Sequence, residues 1–209
     1  MMAEVIKLNR NVMAVNTYIV YNEETKKGVV IDPSFNPQVV IDCINEEDIE
    51  IEAILLTHGH FDHIAGVDAV RKQFGVPVYI HADDADMLFS AEKNHSSMAG
   101  ARIETDPAEH TFKSGDMLEF AGMKFGVLGT PGHTMGSVCF LTDDMMFAGD
   151  TLFYMSIGRT DLGGSDPRKM QESLEILRKI PEDLIVHPGH GQSSSLAFEK
   201  DNNPFLMTW

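Results

Sequence analysis

The chain has 209 residues with 32 acidic against 16 basic side chains, a formal charge of −16, and is 43% hydrophobic and 23% charged. That length suits one domain with an ample core, and the composition is globular rather than disordered or fibrous. The acidic balance excludes roles that depend on attraction to a phosphate backbone, which need clustered Lys and Arg, so no nucleic acid is expected as a partner.

At the N-terminus, MMAEVIKLNRN meets Glu4 and Lys7 too soon for the apolar core of a secretory signal. No run approaches the roughly 18 apolar residues of a membrane span. The expectation is a cytoplasmic protein without a membrane partner. Three β-branched runs follow, TYIVYN (17–22), KGVVIDP (27–33) and EAILLTH (52–58), each read as a strand. Between the second and third, PQVVIDCINEED is predicted as a helix burying Val39, Val40, Cys43 and Ile44. After the third, IAGVDAVRKQF places Ile64, Val67, Val70 and Phe74 at helical spacing, with Gly75 as the stop. Alternating strands and helices indicate a layered α/β fold.

The middle of the chain is more polar. HADDADMLFSAEKN (81–94) reads as an acidic helix, and 95–116 as either a lid or a solvated connection. A second β-rich block holds MLEF, MKFGVLGT, SVCFLT and MMFAGDT (145–151). A last helix is predicted from Asp166 as N-cap and Pro167 as first residue, with Met170, Leu174, Leu177 and Ile180 inward, before a strand at LIVH. No Pro-, Gly- or Ser-rich linker divides the chain, so 1–209 is read as a single domain. Cys43 and Cys139 sit in apolar runs and are read as core residues rather than a disulfide or redox pair.

One local repeat carries the chemistry. Three times an apolar strand ends in Gly-His, at AILLTHGH (His60), FGVLGTPGH (His133) and LIVHPGH (His190). Glycine lets the backbone turn sharply and present the next side chain at the strand end, so three histidines can converge. The first copy is densest: His58, His60, Asp62 and His63 form H-x-H-x-D-H between a strand and a helix. Imidazole nitrogens and carboxylate oxygens are ligands of a borderline cation such as zinc. His58, His60, His63, His133 and His190 with Asp62 and Asp150 make more donors than one open tetrahedral site uses. Two divalent ions about 3.5–4 Å apart would employ them all, with Asp150 of FAGDT as the natural bridge. Zinc is the first expectation, iron or manganese the alternatives. His81, His95, His110 and His187 are read as surface or capping residues, His187 also as a support for the nearby P-G-H turn.

THGHFDHIAG, GTPGHTMGS, FAGDTLF and HPGHG stand in the order and approximate spacing of the metallo-β-lactamase superfamily, which the chain resembles over nearly its whole length. The resemblance implies a four-layer αββα sandwich, two mixed sheets flanked by helices, with the active site at one edge. It implies His58, His60 and His133 as one metal site, Asp62, His63 and His190 as the second, and Asp150 as the bridging ligand. Within the superfamily, GDTLFYMSIGRTDLGGSDP and the tail PGHG…E…NPFL are similar to a compact bacterial subgroup of the glyoxalase II-like (hydroxyacylglutathione hydrolase-like) branch. That implies hydrolysis of a small anionic thioester such as S-lactoylglutathione, with Asp62 also orienting hydroxide. Arg159 would anchor an anionic group, and Phe153 and Tyr154 either line the mouth or pack in the core. Longer members carry a C-terminal helical substrate domain for which the residues after His190 leave no room. A mono-iron persulfide dioxygenase shares the G-R-T-D segment, and a lactonase differs only in substrate. A non-catalytic binding module is disfavoured because no ligand of the set is missing.

Overall fold

A computed structural model describes residues 3–207. One six-stranded sheet runs in chain order: β1 (Ala3–Leu8), β2 (Thr17–Asn22), β3 (Lys27–Ile31), β4 (Glu50–Leu55), β5 (Val78–His81) and β6 (His110–Phe112). Its first three strands pair antiparallel and the rest parallel. The second sheet uses β7 (Met117–Phe120), β8 (Met123–Gly129), β9 (Val138–Thr142), β10 (Met145–Gly149), β13 (Ile185–Pro188) and β14 (Ser194–Ser195), ordered β14-β13-β10-β9-β8-β7. A short hairpin, β11 (Leu152–Phe153) with β12 (Ser156–Ile157), follows β10.

Strands covered on both faces need apolar side chains at successive positions, and β2 and β3 have them. Tyr18, Val20, Val29 and Ile31 point between the sheets and meet Phe125, Val127, Phe140 and Phe147 of the facing sheet. Their neighbours Ile19, Tyr21 and Val30 point outward, onto Val40 and Ile44 of helix α1 (Pro37–Glu46) and Val67 and Val70 of α3 (Val67–Phe74). On the far side, Cys139, Met146 and Ala148 of the second sheet bury Met170, Leu174 and Leu177 of α4 (Pro167–Lys179) and Leu196 of α5 (Leu196–Asn202). These three apolar layers make the four-layer αββα arrangement. Burial of each such side chain stabilises by roughly 1.5–3 kcal/mol relative to exposure.

Several elements depart from the sequence expectation. The helix after β4 is two pieces, α2 (Phe61–Ile64) and α3, broken at Gly66. A Cβ there would lie 2.3 Å from the Ser34 carbonyl oxygen, so the break lets two segments touch. Gly75 does stop α3, with φ 67°. In α1, Val40, Ile41 and Ile44 are buried, while Val39 and Cys43 lie half-buried on its edge. The acidic segment 81–94 is not an α-helix: β5 runs to His81, and Ala82–Met87 is a 3-10 helix followed by turns. The physical reason is Asp84, whose buried carboxylate is drawn inward by the amides of Gly59 and Gly136.

The 95–116 stretch contains a second 3-10 helix (Ser96–Ala99) and β6. Fully buried Asn94 fastens it, donating to the carbonyls of Met87 and Ile103. Asp166 caps α4 as expected, accepting from the amides of Arg168 and Lys169, but Ile180 lies just past the helix as its C-cap and is half-buried. β1, β5, β6, the hairpin, β14 and α5 were not anticipated as elements. No helix among the described residues is long and apolar enough to cross a membrane.

Candidate metal centre

The second-sheet strands β8, β10 and β13 end at the same edge as β4, and the seven residues singled out in sequence leave the chain there. His58 and His60 follow β4, and Asp62 and His63 lie in α2. His133 follows β8, Asp150 follows β10, and His190 follows β13. Ring and carboxylate atoms of His58, His60 and His133 lie within 4.8 Å of one another, as do those of Asp62, His63 and His190. Asp150 stands between the groups, its Oδ1 3.3 Å from His63 Nε2 and its Oδ2 3.4 Å from His133 Nε2 and 3.6 Å from His190 Nε2. Asp62 Oδ2 is 3.5 Å from His190 Nε2.

Three of the buried rings, His58, His63 and His133, are oriented by their other nitrogen, the way imidazole ligands are fixed in metal sites. His63 Nδ1 bonds Asp32 Oδ2 at 2.9 Å, His133 Nδ1 bonds the Arg159 carbonyl at 2.8 Å, and His58 Nδ1 lies 3.1 Å from the Thr57 hydroxyl. Their Nε2 atoms are left facing inward. Asp32 also accepts from the Thr57 amide and hydroxyl, so one buried carboxylate holds both ends of the His58–His63 loop. Asp84 does the same beside His60 and His133, accepting from Gly59, Gly136 and the Thr134 hydroxyl. Neither Asp32 nor Asp84 was singled out from sequence; Asp32 at the C-terminal end of KGVVIDP, on the strand edge that carries the histidines, was the available signal.

The donors fit a cation. His58 Nε2, His63 Nε2 and Asp150 Oδ1 are buried atoms without a hydrogen-bond partner, a costly arrangement unless something else satisfies them. His60 Nδ1 and His133 Nε2 meet at 2.8 Å, so both rings turn a nitrogen toward the same point. Burial, then His133, pushes His60 down to about 3, and burial with the neighbouring imidazoles lowers His58, so both rings are neutral with lone pairs free. At Asp150, burial opposes ionisation but the surrounding imidazoles overcome it and hold the carboxyl well below its ordinary range. At His63, burial opposes the charged form, yet Asp150 and Asp62 raise it. The cluster therefore contains buried negative charge that calls for a positive partner. Gly189 keeps the space clear, since a Cβ there would lie 2.1 Å from Asp150 Oδ1.

The remaining predicted residues lie around this centre. Phe153 is half-buried with its ring 6.0 Å from His190 in an edge arrangement. Tyr154, 43% exposed, stacks on Phe198 of α5 at 5.4 Å rather than on a ligand. Arg159 supplies its carbonyl to His133, while its exposed guanidinium forms a two-pronged pair with Asp161 at 2.7 and 2.9 Å. Behind the hairpin, buried Glu199 accepts from the Met155 amide, and Asn203 donates to the carbonyls of Phe153 and Ser156.

The sequence profile of the metallo-beta-lactamase superfamily matches residues 10–190. The chain belongs to that superfamily. Among curated relatives, it is 35% identical to the probable metallo-hydrolase YqgX of Bacillus subtilis, over 91% of this chain and 92% of that one. It is 31% identical to the hydroxyacylglutathione hydrolase GloC of Haemophilus influenzae, over 91% and 92%. Among solved structures, BLEG-1, a B3 metallo-beta-lactamase, superposes with a TM-score of 0.94 at 37% identity, covering 98% of this chain and all of that one. TTHA1623 in a di-iron-bound form gives 0.86 at 34% identity, over 97% and 100%. The superfamily member is thus a metal-dependent hydrolase by kinship, with a His/Asp cluster suited to divalent ions.

Proposed function

We propose that this chain hydrolyses a small-molecule thioester at a dinuclear centre. His58, His60 and His133 would hold one divalent ion, Asp62, His63 and His190 the other, and Asp150 would bridge them. The observation that carries this reading is the convergence inside one seven-residue cluster of buried His58 Nε2, which has no hydrogen-bond partner, with His63 Nε2 and Asp150 Oδ1, which face only each other at 3.3 Å. Two bound cations supply a water of near-neutral pKa and a Lewis acid for the carbonyl oxygen.

The chain's own groups do the rest. Asp32 and Thr57 keep the His58–His63 loop from relaxing, so donor positions are set before substrate arrives. Asp62, 13% exposed and aimed at His190, is placed to accept a hydrogen bond from the attacking water and orient its lone pair. No strong acid is needed for departure, because a thiolate is a good leaving group. Phe153, its ring edge-on to His190, offers an apolar surface beside that ligand position. Similarity to GloC supports the thioester; similarity to BLEG-1 supports a second reading, opening of a cyclic amide by the same attack.

Turnover of S-lactoylglutathione, a lactone, a β-lactam and glutathione persulfide by protein of measured metal content separates the possibilities. The proposal expects thioester hydrolysis by protein carrying two ions. Oxygen consumption with persulfide at one iron per chain, or no thioester turnover at two ions, contradicts it.

A further inference from the structure

Beside the metal centre, on the His60 side, lies a cavity of about 390 Å³ that the proposed mechanism leaves unused. Its inner wall includes His60, Met87, Thr134 and Met135. Asp84 also faces it, but that carboxylate already accepts from two amides and a hydroxyl, so it has little capacity left for a ligand. The rim is acidic: Asp83, Asp86 and Glu92 contribute carboxylates, while Lys93 is bonded to Asp86. The wall is held in place. His95 has φ 68°, a left-handed conformation uncommon for a side chain larger than glycine. Its Nε2 bonds the Gly163 carbonyl at 2.9 Å, tying the 94–100 turn to the 163–164 turn across the mouth, and its ring lies 5.1 Å from His60. Arg159 does not line the cavity, and its guanidinium is spent on Asp161.

From this we infer that the cavity receives the arm of the substrate extending past His60, and that it selects an apolar arm ending in a neutral or ammonium group over one ending in a carboxylate. Resting on the proposed hydrolase reading, this narrows the substrate class. Methionine walls suit an arm of irregular apolar shape. A carboxylate carried along it would meet the rim carboxylates of Asp83 and Glu92, while Lys93 is already spent on Asp86. The attraction of cations at the centre falls off within the screening length of about 8 Å, so it does not rescue the far end of the arm. Asp83 and Glu92 are the specificity-determining residues, Met87 and Met135 the packing surface, and His95 positions the wall without touching the reacting atoms.

The test compares matched thioesters that differ only in one terminal group, carboxylate, carboxamide or ammonium, placed in one series on the thiol side and in another on the acyl side. Exposed like-charge contacts are individually small, so the two from Asp83 and Glu92 predict about a fivefold lower kcat/KM for the carboxylate in whichever series occupies the cavity. The double variant D83K/E92K should shrink that ratio to about twofold or invert it, acting on KM more than kcat. A second readout is the binding of the corresponding unreactive thioethers, followed calorimetrically, which should show the same order and the same reversal. If thioesters are not hydrolysed but the thioethers still bind in this order, the cavity assignment stands and the thioester reading fails. Equal handling of carboxylate and carboxamide in both series, or a preference that D83K/E92K leaves unmoved in both readouts, overturns the inference.

Discussion

The two flanks of the metal centre are braced by different means. On the β4 side, His58, His60 and His63 are at most 4% exposed, and each support is a buried polar contact, Asp32 and Asp84 being saturated with donors. On the β10–β13 side, His190 is 29% exposed at its side chain, and the adjoining hairpin is held from behind by Glu199 of the last helix and by Asn203, its C-cap. Rigidity is concentrated where charge must be held, and the flank that opens to solvent is fastened through backbone atoms. A low-dielectric environment makes the first kind of contact strong and its loss expensive.

That contrast can be broken most severely at Asp32. Replacing it by Ala leaves the Thr57 amide and the His63 ring without their acceptor inside the core, which predicts a loss of about 3 kcal/mol of stability and a 10–100-fold loss of metal affinity. Denaturant unfolding and metal titration check both; a variant that keeps full affinity would show that Asp32 does not orient His63. Glu199→Ala should cost about 2 kcal/mol, since the Met155 amide and Asn203 lose their acceptor, yet metal content should stay at the wild-type level while KM rises. Metal loss in Glu199→Ala would erase the distinction between the flanks.

A pH experiment sharpens the comparison by separating the ligand cluster from its surroundings. His187 stacks on Phe147 at 4.9 Å and meets Tyr18 at 5.3 Å, and burial, with Lys7 nearby, lowers it to about 4. The unfolded chain takes up that proton near 6.5 and the folded chain only near 4, so its contribution to stability is whole above about 6.5 and is lost as pH falls toward 4. Allowing for partial solvent access, the loss is about 2 kcal/mol. His187→Phe should remove this part of the acid sensitivity in thermal melts across pH 4–7; an unchanged slope would assign it to the cluster instead. The smallest effect is expected at Arg159. Because Asp161 already occupies its guanidinium, Arg159→Ala should change kcat/KM by less than about twofold, whereas a large rise in KM would restore it as an anion anchor.

The candidate ligand set was legible because its members are close in sequence or follow a strand end marked by Gly-His or, at Asp150, Gly-Asp, so local pattern carries their geometry. The supports were not, because Asp32, Asp84 and Glu199 act across separations of 25 to 52 residues and look like ordinary surface acids in their own segments. The same blindness explains the misread helix at 81–94, where composition favoured an exposed amphipathic surface and one carboxylate went inward. The layered core was legible through β2, β3 and β10, whose successive apolar residues cover two faces, while the four-layer sandwich was legible only through the likeness to the superfamily. The edge strand β1 was missed although Val5 and Ile6 pair directly with Val20 and Ile19, because Glu4 and Lys7 break its apolar run. The tail E…NPFL, noticed only as a likeness, has a physical role: Glu199 and Asn203 seat the hairpin that carries Phe153.

The central claim is that seven converging side chains hold two cations. Equilibrating the purified protein with zinc, iron or manganese, removing excess ion and measuring bound metal by mass spectrometry tests it directly, with Asp150→Ala alongside. The account predicts two ions per chain in the native protein and one or none in Asp150→Ala. One ion per native chain, or a variant that still holds two, would contradict it.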